Sequence, residues 1–139
     1  MSATSSASAV STEDAAAIRA ILDRHVDAWN RHDMDAFVAD TTPEADWINV
    51  VGMHWKGRDT VRRAHAVMHA GLFEHSRMLP LEQSEMRRIT PNVVIETHVG
   101  RLEGVGLRPD GKRYAEPLDI NAEVSFVNDR VIFLDPFKR

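Results

Sequence analysis

The sequence predicts an α+β domain in which helices come first and an antiparallel sheet follows. From Ser11 to Leu72 most apolar residues recur with helical spacing, whereas from Leu79 onward β-rich runs alternate with turn signals. The 139 residues suffice for one domain with its own core, without the disulfides that the lack of cysteine rules out. We expect residues 1–11, which are nearly all Ser, Ala and Thr, to form a flexible tail and residues 12–139 to form the single domain.

Two helices are predicted before Pro43. The first begins at an N-cap on Ser11 or Thr12 and continues for about five turns. The second is short: Asp33 caps it, and it runs through Asp40. Pro43 cannot continue a helix. The buried stripe of the first helix comprises Ile18, Ile21, Leu22, His25, Ala28 and Trp29. A histidine on such a stripe, here His25, can be either a structural residue of the core or a residue of a functional site.

A strand and a third helix come next. Trp47–Val51 is β-branched and aromatic, which predicts a strand with Trp47 and Asn49 on one face. Gly57 begins the helix, and its apolar spacing predicts that His65 faces the interior, with His69 one turn further on at the edge of the stripe. That stripe comprises Val61, Ala64, His65, Met68 and Leu72.

The second half of the chain predicts a meander of four strands. Turn signals separate them, among them Pro109-Asp110-Gly111 and Asn128-Asp129. On the second strand the hydrophobic pattern alone favours the face of Val93 and Ile95 as the core face, over the face of Glu96 and His98. The predicted strands are Leu81–Ile89, Val93–Val105, Tyr114–Val127 and Arg130–Phe137.

Composition excludes several classes of function. A net charge of −4 argues against a general nucleic-acid binder, and no apolar run is long enough to span a membrane. Without cysteine there is no thiolate–zinc site, Fe–S cluster or cysteine nucleophile. Neither a GxGxxG motif nor a P-loop is present, so we expect no cofactor. Residues 1–11 lack the pattern of a secretory signal, and we expect a cytoplasmic protein.

Three segments and the meander are shared with a known superfamily. The segments are Ala28-Trp29-Asn30-Arg31-His32-Asp33, then Ala45-Asp46-Trp47-Ile48-Asn49-Val50-Val51-Gly52, and Gly57-Arg58-Asp59 with His65 seven residues after Arg58. From Thr12 to about Phe133 the chain resembles the nuclear-transport-factor-2-like (NTF2-like) superfamily, and within it the SnoaL-like and SgcJ/EcaC-type branch. That branch tends to end in a Trp and a polar tail, whereas this chain ends Phe133-Leu134-Asp135-Pro136-Phe137.

The resemblance implies a cystatin-like α+β roll. A strongly curved antiparallel sheet would wrap around three helices as a cone, with a pocket at the open end, and two chains would form a homodimer through their sheets. The resemblance also directs Val94, Glu96, His98 and Gly100 toward the pocket, against the hydrophobic pattern of that strand. The superfamily contains isomerases, dehydratases, cyclases, epoxide hydrolases and binding modules, so the fold leaves the function open.

The resemblance argues against one mechanism of the superfamily. Where its steroid isomerases have a carboxylate base on the first strand, the resemblance places Asn49, which cannot accept a proton at working pH. Their enolate-stabilising Tyr falls on His25, and their protonated acid falls near Ala122. A steroid-isomerase mechanism is therefore not expected.

A pocket for a small hydrophobic molecule is the expected site. As an enzyme, the protein would transfer protons during isomerisation, cyclisation or dehydration, with His65 as main acid/base, Glu96 and His98 in support, and His25 nearby. The alternative is a module that binds a small molecule, or mediates dimerisation, without catalysis. The substrate-binding candidates are Trp29, Trp47, Asn49, Trp55, Met68 and His69.

The third helix also carries a histidine pair with metal-ligand spacing. His65 and His69 stand at i and i+4, a spacing that can bind zinc. A catalytic HExxH motif would need Glu where this chain has Ala66. We therefore expect no metal site.

Overall fold

A computed structural model describes residues 9–49, 52–106 and 123–128, the last range by its backbone. Within these ranges, two helices come first, a short hairpin and a third helix follow, and the antiparallel strands of the larger sheet come last; helices before the sheet is the predicted order. The start of the third meander strand at Tyr114, the whole strand Arg130–Phe137 and the turn at Pro109-Asp110-Gly111 lie outside the described residues. The elements are α1 Thr12–Asn30, α2 Met34–Phe37, β1 Asp46–Ile48, β2 His54–Lys56, α3 Arg58–His69, β3 Arg77–Met78, β4 Glu82–Thr90, β5 Val93–Glu103 and β6 Glu123–Asn128.

Both N-terminal helices begin at the predicted caps. The Ser11 hydroxyl accepts a hydrogen bond from the backbone N–H of Asp14 at 3.0 Å. The Asp33 carboxylate accepts one from the N–H of Ala36 at 3.0 Å, and this bond lowers the pKa of Asp33. The predicted end of the second helix at Asp40 is wrong. After Phe37 the chain continues in turns, and Asp40 bonds to Arg24 of α1 at 2.9 Å.

The first strand belongs to a hairpin that the sequence pattern did not predict. β1 pairs antiparallel with β2, and Trp47 lies opposite Trp55. Each strand has three residues, too few for an alternating pattern to be visible in the sequence. The third helix begins after Gly57 as predicted, where φ of +88° suits glycine. It ends at His69, so Leu72 lies in the following turns rather than on the helical stripe.

β5 is the central strand of the larger sheet. β4 and β3 both pair with one edge of β5, at different points along its length, and β6 pairs with the other edge. The β4–β5–β6 order is the predicted antiparallel meander. Along β5 the buried residues are His98, Gly100 and Leu102, and Leu102 belongs to the hydrophobic core. The structure therefore turns the face of Glu96 and His98, rather than that of Val93 and Ile95, toward the interior.

Helix α1 is bonded to the sheet near both of its ends. At its start Asp14 pairs with Arg88 of β4 at 2.6 Å, and the side chains are only 18% and 14% exposed. At its end the Asn30 side-chain amide bonds both backbone groups of Met78 in β3, accepting at 2.7 Å and donating at 2.9 Å. Ala9 adds its backbone carbonyl as an acceptor for Arg88 at 3.0 Å. None of the helices in the described ranges is long and apolar enough to cross a membrane.

Replacing Asn30 with Ala tests the second anchor. The substitution leaves the N–H and C=O of Met78, which is 5% exposed, without their partners. A buried group without a partner costs about 1–3 kcal/mol, so we expect a loss of about 2–4 kcal/mol in the free energy of unfolding. Urea denaturation measures it. Asn92→Ala, at an exposed turn position, is the matched control and should change stability by less than about 0.5 kcal/mol. Equal effects of the two substitutions would contradict the anchor.

Candidate functional site

His65 lies at the centre of a cluster of aromatic rings. Its side chain comes from the middle of α3, and the residue is only 3% exposed. Nδ1 lies 2.8 Å from the backbone carbonyl of Val61. Because a carbonyl only accepts, Nδ1 carries the proton and Nε2 is the basic nitrogen of the neutral ring. Its ring neighbours, by centroid distance, are Phe37 at 4.7 Å, Trp47 at 5.0 Å, Trp55 at 5.3 Å and Trp29 at 6.2 Å.

His25 joins the same cluster from α1. Its ring centroid lies 3.9 Å from that of Phe37 and 5.7 Å from that of Trp47, nearly parallel to the indole. The structure thus brings together six of the residues proposed from the sequence, and adds Phe37 to them. The sixth is His69, whose ring centroid lies 4.4 Å from that of Trp29. The six are His25, Trp29, Trp47, Trp55, His65 and His69.

Two other candidates take different positions. Asn49 sits at the hairpin between β1 and β2, where its side-chain oxygen accepts from the N–H of Met53 at 2.8 Å and its own N–H donates to the Met53 carbonyl. This amide oxygen therefore organises its own hairpin. Met68 is half-buried on α3, and its carbonyl accepts the N–H groups of Gly71 and Phe73 in the turns after the helix.

Glu96 and His98 form a nearly buried pair on β5. Nδ1 of His98 lies 2.7 Å from Oε1 of Glu96, and the side chains of His98 and Glu96 are 6% and 11% exposed, respectively. A carboxylate accepts, so Nδ1 again carries the proton and Nε2 is the basic nitrogen. Ser84 of β4 donates to the other oxygen, Oε2, at 2.7 Å. Sequence reasoning found the pair from the alternation along the strand but missed Ser84, which lies on the neighbouring strand.

His69 is paired with a histidine that sequence reasoning did not select. Nδ1 of His69 lies 2.7 Å from Nδ1 of His32, which follows α1 in a left-handed conformation with φ of +54°. One of these nitrogens must donate and the other accept. The pair borders an open surface cleft of about 570 Å³, which the ion-paired Arg31 and Arg62 also line. In the sequence, His32 lies in the segment Asn30-Arg31-His32-Asp33, which the sequence analysis used only as part of the family resemblance.

The environment of His69 disfavours its charged form. The residue is 7% exposed, and within the described part of the chain its Nε2 has no hydrogen-bond partner. Burial, with smaller contributions from His32 and His65, lowers the pKa of His69 from 6.5 to about 4. His69 is therefore neutral at pH 7 and adds no positive charge to the cluster. Among the described residues, no group of three or more His, Asp or Glu side chains is arranged to hold a metal ion.

The helices followed by an antiparallel sheet place the molecule in the class of cystatin-like, or NTF2-like, α+β folds. A structure of a cystatin-like protein from Caulobacter vibrioides is 30% identical, with a TM-score of 0.63, and the match covers 73% of this chain and 70% of that one. A candidate dehydratase of the NTF2-like family from Streptomyces avermitilis is 16% identical, with a TM-score of 0.62, over 84% of this chain and 82% of that one. Aln2 from a Streptomyces species is 15% identical, with a TM-score of 0.63, over 91% of this chain and 94% of that one.

Family membership follows from the sequence match. The model of the SnoaL-like domain matches residues 22–133, well over half of the chain. The protein therefore belongs to the SnoaL-like domain family of the NTF2-like superfamily. No curated protein matches the chain in sequence.

The low pKa of His69 predicts a pH-dependent stability. The unfolded chain takes up this proton near pH 6.5 and the folded chain only near pH 4, so the stability that neutral His69 contributes is complete above pH 6.5. As the pH falls from 6.5 to about 4, the free energy of unfolding should drop by about 3 kcal/mol on account of this group. His69→Phe keeps an aromatic ring against Trp29 and should remove that part of the drop, as measured by urea denaturation across the range.

The matched control for this measurement is His75→Gln. His75 is exposed, so its replacement should leave the pH dependence of the free energy of unfolding unchanged. If the free energy of unfolding of His69→Phe depends on pH as strongly as that of the wild type, His69 is not held neutral in the folded protein.

Proposed function

We propose that the protein is an enzyme that moves a proton on a hydrophobic small molecule held between the helices and the inner face of the sheet. The observation that carries the proposal is the Glu96–His98 pair, with its 2.7 Å bond and its nearly complete burial. His98 is the acid/base and Glu96 orients it. His65 is the second proton-transferring imidazole, with His25 beside it in the ring cluster.

The chemistry follows from the tautomers. His98 and His65 each hold a proton on Nδ1, so Nε2 is the atom that takes a proton from the substrate and returns it. When His98 becomes an imidazolium, the carboxylate of Glu96 stabilises the new charge at a distance of one hydrogen bond. Isomerisation and cyclisation each require removal of a proton at one position and its return at another. Dehydration requires removal of a proton from carbon and its delivery to the hydroxyl group that leaves as water. One imidazole can carry out both transfers in each case.

A purely structural role accounts less well for the pair. Burying a carboxylate and an imidazole costs desolvation free energy that their attraction rarely exceeds, and an apolar pair of similar volume would pack at least as well. A carboxylate hydrogen-bonded to an imidazole fixes its tautomer and orientation, which proton transfer requires and packing does not. The pair on β5 is thus better explained by proton transfer than by stability.

The remaining candidates supply the binding surface. Three indoles around His65, at Trp29, Trp47 and Trp55, suit a flat or conjugated apolar molecule. His69 of α3 extends this surface beside Trp29, and Asn49 holds the β1–β2 hairpin next to it. We assign Met68, half-buried on the same helix, to this surface as well. The SgcJ/EcaC-type branch, whose small proteins are often found near natural-product genes, is the part of the family in which we place the chain.

The proposal is tested with 5-nitrobenzisoxazole, a flat apolar probe of general bases. A base removes its C3 proton, the N–O bond breaks, and the coloured 2-cyano-4-nitrophenolate is released. Wild-type protein should turn over the probe with saturation, and His98→Gln should lower kcat/KM by about 10²–10⁴-fold, the usual share of general acid–base catalysis. His65→Gln should lower it as well. His75→Gln, at an exposed loop position, is the matched control and should have no effect.

Two outcomes decide against this proposal. If folded His98→Gln turns over the probe as fast as wild type, His98 is not the base. If equilibrium dialysis shows that the protein binds the probe but turnover does not exceed that of free imidazole in solution, the protein is a non-catalytic small-molecule binding module. Melting temperatures of all variants establish that they are folded.

We further propose a homodimer formed through the sheets. The outward residues Val93, Ile95 and Val99 of β5 are apolar and half-buried in the single chain, and Ile89 of β4 is 48% exposed. A partner's sheet would cover this apolar surface. Sedimentation at micromolar concentration should find a dimer, and Ile95→Glu should convert it to monomer. Val67→Glu, at a 75% exposed position of α3, is the control and should leave the dimer intact. A monomeric wild-type protein would contradict the proposal.

A further inference from the structure

We propose that Ser84 is a positioning residue whose hydroxyl fixes the Glu96 carboxylate so that Glu96 holds His98 in one tautomer. This inference rests on the proposed function of the Glu96–His98 pair. Ser84 donates to Oε2 of Glu96 at 2.7 Å, and Oε1 of the same carboxylate accepts from Nδ1 of His98 at 2.7 Å. Each carboxylate oxygen therefore has its own donor.

Two donors restrain the carboxylate more than one does. A glutamate side chain has several rotatable bonds, and a single contact through Oε1 leaves the carboxylate free to rotate about it. The second bond, from Ser84 on the neighbouring strand, fixes the plane of the carboxylate relative to the His98 ring. A carboxylate with a fixed plane keeps its acceptor directed at Nδ1, so Nε2 stays the basic nitrogen.

The backbone of β4 is irregular at this point. Glu82 lies opposite Val99 and Glu85 lies opposite Thr97, so two residues, Gln83 and Ser84, face the single residue His98. This two-to-one pairing is a β-bulge, a feature that re-aims side chains and is over-represented beside active sites. Gln83 has φ of +53°, a left-handed conformation that is uncommon for a residue other than glycine. Strain of this kind, retained opposite the paired histidine, supports a function for the residue it re-aims.

The order of the three groups excludes a nucleophilic serine. In a serine hydrolase the histidine lies between serine and acid and takes the serine proton. Here the acid lies between Ser84 and His98, and the Ser84 proton points to Glu96. Ser84 therefore acts on the substrate only through Glu96 and His98. The other charged side chain that the structure describes on this face of the sheet, that of Arg88, is paired with Asp14 of α1 at 2.6 Å.

The experiment compares Ser84→Ala with Ser84→Thr, which keeps the hydroxyl. ¹⁵N chemical shifts of the His98 ring, recorded with the ring in its neutral form, report the tautomer without any turnover. In wild type and Ser84→Thr they should show a protonated Nδ1, and in Ser84→Ala they should move toward a mixture of tautomers. With 5-nitrobenzisoxazole, kcat should fall about 10-fold in Ser84→Ala, with KM unchanged, and recover in Ser84→Thr. The thiol of Ser84→Cys is a weak donor of similar shape, so this variant should behave like Ser84→Ala. It takes the place of Ser84→Ala in the experiment if Ser84→Ala does not fold.

The results separate the two proposals. Wild-type ring shifts and wild-type kcat in Ser84→Ala or Ser84→Cys would overturn the role of Ser84. A change of the His98 tautomer in Ser84→Ala, combined with normal turnover in His98→Gln, would confirm the positioning by Ser84 while overturning the proposed catalytic function of the pair. A uniform loss of folded protein in Ser84→Thr as well as Ser84→Ala would assign Ser84 a structural role.

Discussion

The interior of this protein depends on how α1 is held against the sheet. The helix has 19 residues, about 28 Å of length, and is bonded to a strand near each end, through Asp14 to Arg88 and through Asn30 to Met78. Two bonds so far apart prevent the helix from sliding or rotating over the sheet. His25 and Trp29 lie between the anchors, so their positions against Phe37, and hence against the ring cluster, follow from them.

Two buried histidines inside this frame are bonded to residues that are close to them in sequence. His65 donates to a carbonyl one turn earlier in its own helix, His98 donates to a residue two positions earlier in its own strand, and Trp29 donates to Ser76 at 3.0 Å. The first two bonds form together with the helix or strand that contains them. These two buried imidazoles therefore have hydrogen-bond partners without contacts between segments that are distant in sequence. Trp29 and His69 instead have partners that are distant in sequence, Ser76 and His32. In addition, Nε2 of His69 is buried with no hydrogen-bond partner among the described residues. Burial at that position disfavours the charged form of the imidazole.

Periodicity predicted the long elements and failed on the short ones. The helices around Ile21 and His65 were predicted because four or more apolar residues recur on one face, whereas the strands β2 and β3 have three and two residues and show no pattern. Alternation placed Glu96 and His98 on one face of β5 but did not show which face is inner, because both faces carry apolar residues. The buried Leu102 decides it.

Contacts between elements were the least predictable part of the candidate site. Ser84 meets Glu96 across two strands whose register is shifted by a bulge, and no rule of spacing along one strand reveals that shift. His32 meets His69 because His32 adopts a left-handed conformation after α1, which histidine adopts less readily than glycine or asparagine. Both contacts depend on backbone conformations that local propensity disfavours.

The arrangement around His65 has a spectroscopic consequence. The chain has three tryptophans, and the rings of all three contact this one imidazole. A protonated imidazole quenches indole fluorescence far more strongly than a neutral one, since it accepts an electron from the excited ring. Trp29 also lies 4.4 Å from His69, and Trp47 lies 5.7 Å from His25, by ring centroids. Emission excited in the indole band therefore reports on the imidazoles of the whole ring cluster together, without any label. A molecule that enters among the rings changes the same signal.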